Sequence, residues 1–181
     1  RTVVHSVLEM SQRRAIQFGN YREAVRMLRY HAKVAARDPK YLVSLHRMEG
    51  LSLLAEGRNF EAEQLCQDWR EADPIMQGVL RALALARTSR PDELKAEVEK
   101  LEQHKLSPLN RFVCGSLRFH LDWLGGQPGD VAQRFRSNLE ELKTYRSDRE
   151  YTTGEPWLLE QGLKLWEGPM LTLMHTENQD A

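Results

Sequence analysis

The side chains that could do chemistry are dispersed along this chain of 181 residues, outside any recognisable catalytic or metal-binding pattern. No two of its six histidines have the i, i+4 spacing of a zinc site on a helix. No serine lies in the G-x-S-x-G pattern of a nucleophile turn, and the glycine-rich segment 125–129 lacks the Lys-Ser/Thr ending of a phosphate loop. We therefore expect a non-enzymatic protein without catalytic residues, cofactors or metal ligands.

Basic residues are concentrated near the N-terminal end. Residues 1–40 contain nine Lys/Arg against three acidic residues, although the whole chain is neutral with 26 of each sign. Five of these cations recur at steps of three or four residues and so share one helix face: Arg22, Arg26, Arg29, Lys33 and Arg37. Such a face is typical of a solvated surface or of contact with an acidic protein partner. Nucleic acid is less favoured, because aromatic residues for base stacking are few here.

The elements that must position these residues are helices. Leu, Ala, Glu, Arg and Gln are abundant, alternating Val/Ile/Thr runs are absent, and we predict an all-α fold. Prolines at 39, 74, 91 and 108 are placed to open helices, and Asp38, Asp73 and Ser107 to cap them. The predicted helices are 3–18, 21–37, 39–56, 60–72, 74–88, 91–104, 108–124 and 130–145.

A spacing of 34 residues recurs along the chain. It separates the predicted turn residues Gly57, Pro91 and Gly125, the helix-opening Pro74 and Pro108, and the small residues Gly50 and Ala84. Ala24, Ala62 and Ala96 recur at steps of 38 and 34 in the second helix of each pair, where two helices would approach closely. Glycines 19, 57 and 125 are expected to supply the left-handed conformation that ends a helix. A period near 34 predicts stacked copies of one helical hairpin.

These residues resemble the tetratricopeptide repeat (TPR), with Gly50, Gly57, Ala62 and Pro74 as the best single match. The resemblance implies a TPR-like α-solenoid of about four antiparallel hairpins over residues 1–143. In that family the first helix of each hairpin lines a concave groove. Carried over, the family positions imply a partner-binding column of Glu9, Arg13, Arg47, Arg81, Phe112, Phe119 and Asp122, with Ser6 and Ser44 beside them. Arg47 and Arg81 could grip a carboxylate together.

The segment 144–181 departs from the repeat. We predict a loop over 144–155, a helix over 155–166, an interruption at Gly168-Pro169 and a short apolar run over 170–174. The helix is expected to place Trp157, Leu158, Leu163 and Trp166 on the last hairpin and so to cap the stack within the same domain. A helix that binds a partner is the alternative.

Compartment is indicated only by general features. Cys66 and Cys114 fall within predicted helices and suit small core residues in a reducing compartment. No apolar run is long enough to span a membrane, and the first eight residues lack the apolar region of a signal peptide. We expect a cytoplasmic protein, although the chain does not begin with Met and a preceding segment could carry targeting information.

Three functional hypotheses fit these features. The first is a protein-interaction module, an adaptor or chaperone, that binds a protein or peptide through its concave groove or its basic N-terminal end. The second is a bacterial immunity-type inhibitor that binds and blocks a cognate toxin. The third, less favoured, is an RNA-binding helical repeat.

Overall fold

The computed structural model describes residues 7, 10–12, 14–15, 18–34, 39–69, 73–127, 129–144 and 155–177. All regular structure in these residues is helical, which confirms the all-α prediction. The helices from Tyr21 onward are α1 (Tyr21–Val34), α2 (Pro39–Ala55), α3 (Asn59–Asp68), α4 (Pro74–Arg87), α5 (Pro91–Glu102), α6 (Pro108–Leu124), α7 (Val131–Glu140) with a 3₁₀ turn (Glu141–Thr144), and α8 (Glu155–Glu177).

The chain forms two compact units, residues 1–84 and 85–181, and the boundary falls within α4. In the first unit α1 packs on α2 and α2 packs on α3. In the second unit α6 packs on α5, α7 and α8, and α7 also packs on α8. Within each unit, most of these contacts join helices that are neighbours in sequence, and α8 also packs on α6.

The predicted helix starts at Pro74 and Pro108 are confirmed. In both cases the side chain of the preceding residue caps the helix. Asp73 Oδ1 accepts a hydrogen bond from the Ile75 N–H at 3.0 Å, and Ser107 Oγ accepts one from the Asn110 N–H at 3.3 Å. Asp38 lies outside the described residues. Asp130 caps α7 through the Gln133 N–H at 2.8 Å, so it precedes that helix instead of beginning it.

The left-handed residues that end helices are Gly19, Gly57, Ser89 and Gly126, with φ of 71°, 79°, 55° and 71°. The predictions for Gly19 and Gly57 are confirmed. Gly125 has φ −77° and was wrongly assigned, because it is the C-cap residue of α6 and the left-handed residue is the next one, Gly126. Successive left-handed residues are 38, 32 and 37 positions apart (57−19, 89−57, 126−89), so a strict step of 34 does not describe the turns.

These turns share one hydrogen-bond pattern. The N–H of the residue after each left-handed position reaches a carbonyl five residues back: Arg58 to Leu53 O at 2.9 Å and Arg90 to Leu85 O at 3.4 Å. This is the Schellman closure, which satisfies carbonyl groups at the helix end. The same closure therefore recurs although one of its left-handed residues is a serine.

The small residues predicted at positions of close helix approach are buried, with one exception. A Cβ on Gly50 of α2 would lie 2.9 Å from Leu80 Cδ1 of α4, so a larger residue there would require the Leu80 side chain to shift. Ala24, Ala62 and Ala84 are buried. Ala96 is exposed, contrary to the prediction, because α5 buries Leu94, Val98 and Leu101 on its other side.

The C-terminal helix packs on α6 and α7, and three of its four predicted contact residues are buried: Trp157, Leu158 and Trp166. Leu163 is 37% exposed and points away from this core. The predicted interruption at Gly168-Pro169 is wrong, since α8 continues through it. Packing holds the helix beyond the proline, because Met170 contacts the cluster formed by Phe119, Val131 and Trp166.

Candidate partner-binding site

An open cleft of about 930 Å³ lies in the first unit, between α1 and the turn that begins α3. We call it the basic cleft, and its lining includes five cations and two carboxylates: Arg22, Arg26, Arg29, Lys33, Arg58, Glu23 and Glu56. Asn20 and Tyr30 also line it, and Tyr30 is 61% exposed. Four of the five cations belong to the basic face predicted for this helix, and the fifth member of that face, Arg37, lies outside the described residues.

Two of the cleft's arginines are held in place by acidic residues of the neighbouring helices. Arg29 donates to Glu49 on α2 and to Glu61 on α3, the latter at 3.4 Å. Arg58 donates to Glu61 at 2.6 Å and to Glu56 at 3.1 Å. The hydrogen bonds from Arg58, and then those from Arg29, lower the pKa of Glu61. These contacts connect three helices and hold both guanidinium groups in the lining of the cleft.

The other three cations are more available to a partner. Arg26 is 79% exposed and, among the residues that the structure describes, pairs with Glu23 on its own helix at 2.8 Å. Such an exposed pair contributes little energy and is easily exchanged. Arg22 and Lys33 are exposed, and no ion pair of either is found within the described part of the chain. The cleft therefore has two arginines held by ion pairs with neighbouring elements, Arg29 and Arg58, and three more available cations on α1.

The predicted groove arginines lie in the same unit but in different surroundings. Arg47 on α2 is half-buried, beside His46, whose ring meets Trp69 edge-on at 5.4 Å. Arg81 on α4 is 33% exposed, and its Nε lies 3.9 Å from a carboxylate oxygen of Glu63, which is itself buried. Both arginines thus take part in internal packing. Glu9, Arg13 and Ser6 lie outside the described residues, as does the side chain of Ser44.

Phe112 and Phe119, the aromatic members of the predicted column, are in the core of the second unit. Phe112 is fully buried, and a Cβ on Gly162 of α8 would lie 2.6 Å from its ring. Phe119 is 1% exposed and stacks on Trp166 with 3.7 Å between ring centroids. In this arrangement α8 covers both rings, so neither one offers an exposed surface to a partner.

Asp122, the last residue of the predicted column, is partly exposed and paired. Its carboxylate lies 2.7 Å from Arg134 on α7. A second cleft, of about 400 Å³, lies close by and is lined by Glu102, Arg118, Arg134 and Glu141, among others. Arg118 there pairs with Glu102 at 2.6 Å. This cleft has cations and carboxylates in equal number, and so lacks the positive excess of the basic cleft.

A buried polar cluster joins α6, α7 and α8. Ser116 Oγ, fully buried, accepts hydrogen bonds from Trp166 Nε1 and Asn138 Nδ2, both at 2.9 Å. The hydroxyl donates to the Phe112 carbonyl at 2.9 Å, and Asn138 donates to the same carbonyl at 3.0 Å. The hydroxyl of this serine therefore makes three hydrogen bonds, two of them to other helices, which suits a structural role.

The sequence interpretation missed Arg58, Glu56 and Glu61 as members of the candidate site. Their relation to α1 depends on hairpin packing, which charge periodicity within a single helix does not report. One signal was available: Arg58 follows Gly57 as Asn20 follows Gly19, so the two turns place equivalent residues at the start of α3 and α1.

Among the described residues, no group of His, Cys, Asp or Glu is arranged to hold a metal ion. No helix within the described ranges is long and apolar enough to cross a membrane. Comparisons with protein families, with curated proteins and with solved structures find no match for this chain.

Proposed function

We propose that this protein is a non-enzymatic interaction module, a TPR-like stack of helical hairpins that binds another protein. The observation that carries the proposal is the basic cleft, an open depression with five cations against two carboxylates on a chain whose overall net charge is zero. A protein partner with an acidic surface would be attracted to it before contact and oriented by it after contact. The repeated helix closures and the packing of successive helices support the repeat architecture.

The basic cleft would be the principal contact surface, and the groove arginines Arg47 and Arg81 would be a second one. Arg22, Arg26 and Lys33 are exposed, so a partner can displace water and the weak Glu23 pair from them. Arg47 and Arg81 are partly buried, so a partner would have to compete with their internal contacts. On energetic grounds the cleft is therefore the stronger candidate, in a protein that we propose acts in the cytoplasm.

Affinity capture with charge-reversed variants tests this function. The tagged protein is compared with Arg22→Glu/Lys33→Glu and with Arg47→Glu/Arg81→Glu, each checked for helicity by circular dichroism. We expect a partner that is retained after nuclease treatment and lost from the first variant. Lys95→Glu/Lys164→Glu, at two exposed positions of the second unit, is the control with an equal charge change. If all three variants recover the partner equally, neither the basic cleft nor the groove arginines are its binding surface. A partner that is lost after nuclease treatment would favour the RNA-binding hypothesis.

A further inference from the structure

We infer that the basic cleft binds an acidic segment of a partner polypeptide, laid in extended conformation along α1. This inference rests on the proposed function and specifies its ligand. It is carried by the spacing of the cations on α1, by the mixed character of the lining and by the exposed ring of Tyr30.

The spacing of the cations sets the length of the segment. From Arg22 to Lys33 the helix advances by 11 residues, or about 16 Å at about 1.5 Å per residue. Arg26 and Arg29 lie between these ends on the same face. An extended peptide covers the same distance in about five residues at about 3.3 Å each. A segment of five or six residues therefore spans the four cations, and its alternate side chains can face them.

The carboxylates in the lining favour a polypeptide over a nucleic acid. Glu23 and Glu56 both line the cleft, and Glu49 and Glu61 pair with its Arg29 and Arg58. The phosphate groups of a nucleic acid present dense negative charge and no hydrogen-bond donor, so these carboxylates would repel them. A peptide presents carboxylate side chains to the cations and backbone N–H groups to Glu23 and Glu56. A polypeptide therefore satisfies both signs of the lining.

Tyr30 supplies a contact that is not electrostatic. Its ring is 61% exposed beside the cations, and tyrosine is enriched among residues that dominate binding energy at protein interfaces. An apolar side chain within or beside the acidic segment can pack on this ring. The site thus predicts a preference for acidic segments that contain an aromatic or aliphatic residue over purely acidic ones.

Fluorescence anisotropy with defined peptides tests the inference. The probes are fluorescein-labelled hexaglutamate, the same peptide with one central Trp, hexaglutamine, and a single-stranded hexathymidylate. We expect the acidic peptides to bind, the Trp peptide more tightly, and Arg22→Glu/Lys33→Glu to weaken both by roughly tenfold. Lys95→Glu/Lys164→Glu should bind as the parent protein does, and Tyr30→Ala should remove the advantage of the Trp peptide.

Each other outcome overturns the inference. Equal weakening by the two charge-reversed variants would mean that only net charge matters. Tighter binding of hexathymidylate than of hexaglutamate would assign the cleft to nucleic acid. Absence of peptide binding, together with a captured partner that Arg22→Glu/Lys33→Glu loses, would overturn the acidic segment and leave the interaction function standing. Absence of both would remove the function and the inference together.

Discussion

Replacement of Trp166 by Ala should destabilise the second unit strongly. The side chain is 2% exposed, its ring stacks on Phe119 at 3.7 Å and contacts Phe135 at 5.1 Å, and its N–H bonds to Ser116. Truncation of a buried Trp costs about 3–5 kcal/mol from lost contacts and the cavity that remains. Since whole domains are stable by about 5–15 kcal/mol, this is a large part of the total.

Two further variants separate the contributions. Trp166→Phe keeps most of the ring contact and removes the N–H donor, so it should cost about 1 kcal/mol for the hydrogen bond and a further amount for the lost ring volume. Leu163→Ala lies on the same helix but is 37% exposed, and it should cost much less than Trp166→Ala. Urea denaturation followed by far-UV circular dichroism measures all three variants under the same conditions.

One outcome would contradict this reasoning. If Trp166→Ala lowers the free energy of unfolding no more than Leu163→Ala does, α8 does not depend on its packing against α6 and α7. The alternative hypothesis, in which the C-terminal helix serves a partner, would then be favoured. The candidate site would shift from the basic cleft to that helix.

Four other changes have defined outcomes. Gly57→Val should destabilise by about 1–3 kcal/mol because φ is 79° there, and the cost is conformational since a Cβ would meet no atom within 4 Å. Ser89→Gly should instead raise the melting temperature, because Ser89 has φ 55° and glycine removes that strain; an unchanged or lower value would contradict the assigned turn. Burial lowers the pKa of His120 below the usual 6.5, although a hydrogen bond with the Ala86 backbone partly opposes this effect. The folded state then binds fewer protons at His120 than the unfolded state, so the free energy of unfolding should fall as the pH drops below about 6.5. Urea midpoints at two pH values should show a smaller fall for His120→Gln. Burial, with a smaller effect of Glu102, raises the pKa of Cys114 to about 11, so a thiol reagent at pH 8 should modify it slowly until urea unfolds the protein.

Local sequence signals predicted those parts of the fold that local chemistry decides. Asp73 and Ser107 cap helices through their own side chains, and Gly57 takes the left-handed conformation that its residue type favours. Ser89 could not be predicted in this way, because serine rarely adopts φ near 55° without an imposed closure. The hydrogen bond from Arg90 to Leu85 is part of that closure, and it depends on where α4 stops.

Tertiary packing decided the parts that were predicted wrongly. Pro169 usually ends a helix, yet α8 continues because Trp166 before it and Met170 after it are both held in one cluster. The family pattern placed Phe112 and Phe119 in a groove, but α8 lies against both rings. The covering helix was itself predicted from the segment after the repeat, but the family positions that define the groove take no account of it.

Some residues of the basic cleft were predicted from the sequence and others depend on tertiary packing. This difference determines which of them can test function. Arg22 and Lys33 were identified by helix periodicity and are exposed, so their replacement should leave the fold intact. Arg29 belongs to the same basic face of α1 but also pairs with Glu49, whose side chain is only 7% exposed. Arg29→Ala would leave that carboxylate buried without this partner, at about 1–3 kcal/mol. Loss of binding in Arg29→Ala could therefore come from lost stability as well as from lost recognition. A urea midpoint that falls for Arg29→Ala and stays constant for Arg22→Ala would confirm that Arg29 has a structural role that Arg22 lacks. Equal midpoints would show that pairing with Arg29 does not stabilise the buried Glu49.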